Sequence, residues 1–270
     1  MESFDYLFYL DLYPDLRKEG ILNKEKAYKH YITHGVKEGR TCNSNNMKAN
    51  LEDALKTIAI ENEAYIPKKK VEEKINILIR TSNRPEYFPK CIKSILEQKY
   101  ENYNVIICYD KDESLDYLKK YESYDKITYF PIYIESKEKY RFNLYCNILM
   151  DKVENGWIMF LDDDDILCHD KVLSMINDNL KDINSLYLWK FLRPDKVIFP
   201  KDINNIQLGE IDTSSVCFYN THKSKSKWPD KQYGDYAFYS GLITKNLKIK
   251  VIDLILTKTI NNNILGLFGN

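Results

Sequence analysis

Four short apolar runs, spaced along the chain by segments of helical periodicity, constrain its fold more than any other feature. They are INILI (75–79), NVIICY (104–109), ITYFPIY (127–133) and WIMFL (157–161). Runs of this kind read as buried strands. Between and after them, apolar stripes recur at helical spacing: Phe88, Cys91, Ile92, Ile95 and Leu96; Leu144, Tyr145, Ile148, Leu149 and Val153; Val172, Leu173, Ile176 and Leu180. Strand–helix alternation predicts an α/β domain with a mostly parallel sheet flanked by helices. Right-handed crossovers then bring the carboxyl ends of the strands to one edge, where open α/β sheets bind ligands.

The residues at those ends carry chemistry. The first strand ends in RTSNRP (80–85), the second in YDKD (109–112) and the fourth in DDDD (162–165). Four adjacent acids repel one another, so either they form a hydrated turn or something positive is held there. Capping a helix that begins near Asp170 needs only one acid, Asp165 or Asp170, not four. Carboxylates two positions apart on a strand-end turn can hold a hard cation, Mn²⁺ or Mg²⁺, which bridges to phosphate oxygens. The acids are therefore read as facing a metal–diphosphate. The run is not an EF-hand loop, because Ile166 and Leu167 occupy positions that need a ligand and a glycine. No GxxxxGK[ST], GxGxxG or HExxH pattern occurs, and the four histidines are dispersed.

Composition narrows the class. A chain of 270 residues can bury one sizeable core and carry a small accessory module. Lys+Arg and Asp+Glu are balanced at 40 each, so no global field points to nucleic acid or an anionic membrane. No stretch approaches the roughly 18 uninterrupted apolar residues of a membrane span. The opening MESFDYLFYL lacks a basic n-region, and the six cysteines are scattered without a CxxC pair. These features predict a soluble protein of a reducing compartment, the cytoplasm.

The organisation is expected in three parts. Residues 1–45 form a helical accessory module, with Asn23 as an N-cap and Gly35 in a left-handed C-cap. Residues 46–74 form a helical linker around LEDALKTIAIENEAY, ended by Pro67 and a lysine run. Residues 75–270 form the α/β domain.

From Ile75 to Leu256 the chain resembles a family 2-type glycosyltransferase of the GT-A fold. The resemblance is carried, in order, by INILIRTSNRP, NVIICYDKD, YCNILMDKVENGWIMFLDDDD and WPDKQYGDYAF. It implies a metal-dependent transfer of a sugar from a nucleoside-diphosphate sugar, UDP-linked by expectation, to the hydroxyl of a glycan or other acceptor, with inversion. Thr81, Asn83, Arg84 and Asp110 are then the nucleotide-binding positions, joined by Asn147, Asp162 and Asp163. Asp110 is placed against a uracil edge. Asp162 and Asp164 form the DxD pair holding Mn²⁺ or Mg²⁺, with Asp163 and Asp165 as the shifted alternative. The family's Arg before the Asn is Cys146 here, which leaves Arg141 as a substitute. The same departure feeds an alternative reading, a GT-A-fold binding or scaffold protein without turnover. The N-terminal YLDLYPDLRKEGILNKEKAYKHYITHGVKEGR is similar to short helical modules attached to polysaccharide-related glycosyltransferases, and implies docking or packing.

Asp235 completes the set. The resemblance makes it the catalytic base, the favoured reading; its position at the start of a helix offers the alternative of an N-cap. The two conflict, since capping lowers a carboxylate pKa and a base works best nearer operating pH. Apolar neighbours such as Tyr233, Tyr236 and Phe238 would raise it by desolvation. Lys223, Lys225 and Lys227 read either as a solvated loop or as a lid over the diphosphate. Trp228 reads either as an acceptor-stacking ring or as core.

Overall fold

The structure is a computed structural model describing residues 4–68, 72–134, 140–203, 205–206 and 210–261. The expected lysine run at 69–70 and the end of the expected catalytic domain at 262–270 lie outside the described residues. The helices are α1 (Tyr6–Leu12), α2 (Asp15–Lys18), α3 (Lys24–His30), α4 (Val36–Glu38), α5 (Ser44–Ala64), α6 (Phe88–Leu96), α7 (Leu115–Leu118), α8 (Arg141–Asp151), α9 (Val172–Asn179) and α10 (Gly234–Thr244). The strands are β1 (Ile75–Thr81), β2 (Tyr103–Tyr109), β3 (Ile127–Pro131), β4 (Trp157–Phe160), β5 (Asp165–Leu167), β6 (Ser185–Leu192), β7 (Ile198–Phe199), β8 (Val216–Tyr219) and β9 (Lys248–Thr259).

The strands make one sheet in the order β3-β2-β1-β4-β8-β6-β9-β5, with β7 paired to β6. Its first four strands are parallel, as the strand–helix alternation predicts. Beyond β4 the sheet becomes mixed: β8 runs antiparallel to both β4 and β6, and β5 antiparallel to β9, while β6 and β9 are parallel. This change of direction matters for the site. Residues leading into β8 arrive at the same edge as residues leaving β4.

Alternation along β1 splits the core into two layers. Ile75, Ile77 and Ile79 face α6 and α9, whose Phe88, Ile92, Ile95, Leu173 and Ile176 are buried with them. Leu78 faces the other way, toward Cys146 and Leu149 of α8 and Phe238 and Leu242 of α10. The N-terminal helices enclose a small core of their own, with Tyr9, Leu10, Tyr13, Leu16 and Ala27 buried. Helix α5 lays Ala54 and Ile58 against Leu192 of β6 and Ile255 of β9.

Two local expectations change. Asn23 caps α3 by accepting from the Lys26 amide at 3.0 Å. Gly35, however, continues the helix in a π-turn, and the left-handed cap falls at Gly39, φ 69°. The Tyr9 hydroxyl crowds the place where a Cβ on residue 35 would sit, so the close approach explains the glycine. Neither Asp165 nor Asp170 caps the helix after the acids: α9 starts behind Lys171 without a side-chain cap. Asp170 pairs with Lys99 instead.

Candidate active site

The edge where β1 and β4 end is a web of carboxylates and guanidiniums. Arg80 is the penultimate residue of β1, and the alternation turns it toward α8. Its Nε and Nη2 donate to the two oxygens of Asp162 at 2.9 and 3.1 Å. Its Nη1 donates to the Phe142 carbonyl and the Asn143 amide oxygen, and touches Cys146 Sγ at 3.5 Å. The small buried Cys146 thus leaves room for a cation delivered from β1. Arg141 does not take that place; it lies 3.9 Å from Asp110 and is half-exposed. Arg84 reaches across from the loop after β1 to Asp163 at 3.1 Å and Asp164 at 3.0 Å.

The four consecutive acids have four different surroundings. Asp163 and Asp165 are 4% and 3% exposed. Asp163 accepts from Thr81 Oγ1 at 2.7 Å, and Asp165 accepts from Thr259 Oγ1 at 2.7 Å while it opens β5. Burial pushes the Asp163 carboxyl up to about 7, against the pull of Arg84. The side chains of Asp162 and Asp164 are more open, at 25% and 14%. Asp164 is steadied by the end of β9, where the Ile260 amide donates to its carbonyl and Asn261 Nδ2 to its Oδ2.

The remaining expected residues are more spread out. Asn83 adopts a left-handed φ of 50°, and its amide donates to Ser114 Oγ at 2.9 Å. Asp110 accepts from the Tyr145 hydroxyl through Oδ2 at 3.1 Å, while its buried Oδ1 has no hydrogen-bond partner among the described residues. Asn147 spends both ends of its amide on the Trp228 backbone, accepting from its N–H at 2.9 Å and donating to its carbonyl at 3.0 Å. Trp228 is core, stacked on Phe238 at 5.0 Å between ring centres. Lys223 is tied to the Val153 carbonyl.

Asp235 lies in the first turn of α10 but does not cap it. The N-cap is Tyr233, at φ 57°, and the Asp235 carboxylate accepts the neighbouring Tyr236 amide at 2.7 Å. Burial raises its pKa to about 7, with the Asp212 charge adding to the rise. Asp212 is the acid that the sequence pattern concealed. It caps the short turn before β8, accepting from the Ser214 amide at 2.9 Å and hydroxyl at 2.7 Å. Burial and the charge of Asp162 raise it to about 6. The Asp-x-Ser-Ser pattern of an Asx turn was visible; its delivery to the ligand edge depends on β8 being antiparallel.

Asp162, Asp212 and Asp235 share the wall of one cavity of about 610 Å³ with Arg80, Asn143 and Thr259. Among the described residues, no three His, Cys, Asp or Glu side chains are already gathered about one point. Asp162 and Asp164 nevertheless fit a hard cation. They offer carboxylate oxygens, the donor type such a cation takes, with Arg80 on both oxygens of Asp162 and Arg84 and Asn261 on Oδ2 of Asp164. Mg²⁺-type sites commonly use only one or two carboxylates and fill the rest with water and substrate phosphate.

With this geometry in hand, comparison with known proteins places the domain. Residues 76–194 match the model of glycosyl transferase family 2. A teichoic acid poly(glycerol phosphate) polymerase of Staphylococcus epidermidis is 28% identical over 167 residues, covering 59% of this chain and 21% of the polymerase. The fold is also that of S. aureus TarS, residues 1–349 (TM-score 0.55, 15% identity, 69% of this chain and 60% of that one). A mannosyltransferase, PcManGT of Pyrobaculum calidifontis, crystallised with GDP-Man and Mn²⁺, matches at TM-score 0.56 and 11% identity, over 78% of this chain and 66% of its own. Residues 76–194 thus carry the pattern of glycosyl transferase family 2, on a fold of the GT-A type. The chain spans about a fifth of the polymerase and under two thirds of TarS. No helix among the described residues is long and apolar enough to cross a membrane.

Proposed function

We propose that the chain transfers a sugar from a nucleoside-diphosphate sugar, UDP-linked, to the hydroxyl of an acceptor, with inversion at the anomeric carbon. One observation carries this reading: Asp162, of the charge-rich turn after β4, and the half-buried Asp235, which has no ion pair among the described residues, line a single cavity. The first suits a diphosphate, the second a proton. TarS 1–349 has also been crystallised with UDP-GlcNAc (TM-score 0.50), which supports the choice of donor class.

In this reading Thr81, Asn83, Arg84 and Asp110 line the nucleotide side, with Asn147 holding the Trp228 segment in place. Asp162 and Asp164 are the metal pair, because Asp163 and Asp165 are buried against Thr81 and Thr259. Mn²⁺ or Mg²⁺ held there would neutralise charge on the departing diphosphate. Arg80 orients Asp162 through its fork and adds a fixed positive charge beside the diphosphate. Asp235 accepts the proton of the acceptor hydroxyl; that oxygen bonds to the anomeric carbon as the bond to the diphosphate oxygen breaks. A carboxylate poised near pH 7 suits this task. Arg80, which touches Cys146 Sγ, supports this reading over an inactive scaffold, the alternative that rested on Cys146.

The test is incubation with UDP-sugars and Mn²⁺, following nucleotide by phosphorus NMR and the new linkage by proton NMR. UDP release and an inverted product are expected. No release from any nucleotide sugar, or a retained anomer, would contradict the reading.

A further inference from the structure

The cavity does not stop at the catalytic acids. Its far wall is made by Tyr13, Lys37, Glu38 and Arg40 of the N-terminal helices, together with Arg193 and Phe199 of the β6–β7 hairpin. The helices are locked to that hairpin by a buried polar network. The Tyr13 hydroxyl donates to Asp195 Oδ2 at 3.0 Å and accepts from the Thr41 amide at 2.7 Å. Thr41 Oγ1 donates to the Asp195 carbonyl at 3.2 Å. Asp195 is 1% exposed and also pairs with Arg193 at 3.2 Å. Such a network, joining residues more than 150 positions apart, fixes the wall relative to Asp235 rather than tethering it loosely.

The chemistry of this wall is specific. Arg40 lies 4.7 Å over the Tyr13 ring and pairs with Asp15 and Glu38; Arg193 lies 4.8 Å over the Phe199 ring and pairs with Asp195. Every guanidinium there has a carboxylate beside it, so the wall presents donors and acceptors side by side without a net field. Beside the reacting hydroxyl, Asp212 and Asp235, which have no ion pair among the described residues, disfavour an anionic acceptor group. Paired donors and acceptors over aromatic faces suit neighbouring hydroxyls on an otherwise apolar ring.

We propose that the N-terminal helical module forms the distal half of the acceptor site and takes a neutral glycan chain, whose reacting hydroxyl lies at Asp235. This rests on the glycosyltransferase reading for the role of the chain, but binding itself can be measured without turnover.

Saturation-transfer NMR on the full chain, with neutral trisaccharides of gluco, galacto and manno configuration and with a glycerol phosphate trimer, tests it. At least one trisaccharide should bind, and more tightly than its monosaccharide. Glu38→Gln and Lys37→Met, both at exposed positions of the wall, should weaken that binding tenfold or more in the first case and several-fold in the second. In transfer assays the acceptor KM should rise with the donor KM unmoved. The inference is overturned if no trisaccharide binds, if only the glycerol phosphate trimer binds, or if both variants bind as the wild type does. Saccharide binding without nucleotide release would instead count against the glycosyltransferase reading alone.

Discussion

Two groups of acids at the ligand edge, one after β4 and one before β8 and in α10, sit in different electrostatic settings. After β4, Asp162, Asp163 and Asp164 are each gripped by Arg80 or Arg84. Before β8 and in α10, Asp212 and Asp235 are half-buried beside backbone and hydroxyl donors, and among the described residues neither has an ion pair. The guanidiniums fix Asp162 and Asp164 beside positive charge, as a diphosphate and its counter-ion require, while burial still raises Asp163 to about 7 against Arg84. A carboxylate denied a cation is pushed toward neutral pH, as a proton acceptor requires. On the proposed reading, the same residue type serves two ends of one reaction because its partners differ.

The comparison breaks first at Asp235. Removing a general base should lower kcat by about 10²–10⁴-fold, so Asp235→Asn should lose turnover on that scale with the donor KM nearly unchanged. Because Asp235 does not cap α10, the amide should fold normally. Near-normal turnover in this variant would leave the acid a passive part of the helix.

At the clamped end the expected loss is of stability. Arg80→Met would strand Asp162 without its fork, and breaking a buried pair costs about 3–5 kcal/mol. Asp162 is a quarter exposed, so the lower end of that range is expected in denaturant melts. Arg80→Lys, which keeps the charge and loses the bidentate geometry, should fall between the two. Equal stability of Arg80→Met and wild type would mean the fork contributes nothing to the fold.

A smaller effect sharpens the contrast through pH. The Asp235 pKa is raised to about 7 by burial and by Asp212, with Arg80 opposing, and the carboxylate is the active form. The value of kcat/KM should therefore fall about tenfold per pH unit below 7 and level off above it. Asp212→Asn removes the like charge and should move the break to lower pH. A profile flat from pH 5 to 8 would detach Asp235 from the proton.

These two ends were unequally legible. The parallel strands β1–β4 write their positions in apolar runs, and their carboxyl ends fall at one edge by handedness alone, so RTSNRP, YDKD and DDDD could be gathered from local pattern. Asp212 could not, because the sequence suggests a mostly parallel sheet and β8 is antiparallel; its leading residues, rather than its trailing ones, reach the edge. Arg80 was hidden differently. It sits within RTSNRP, but only the alternation of β1 and the small Cys146 show that it faces Asp162. The wall made by Tyr13 and Arg40 depends on contacts across most of the chain, which no local periodicity records.

The central claim is that the turn after β4 holds a donor diphosphate through a cation. Thermal unfolding with UDP, in Mn²⁺ and in chelator, tests it most directly. With UDP at a hundredfold over its dissociation constant, linkage predicts about 2.7 kcal/mol of stabilisation in Mn²⁺ and far less in chelator, the difference vanishing in Asp164→Asn. An unchanged melting temperature with UDP, GDP and TDP in Mn²⁺, or an equal shift in chelator, would contradict the account.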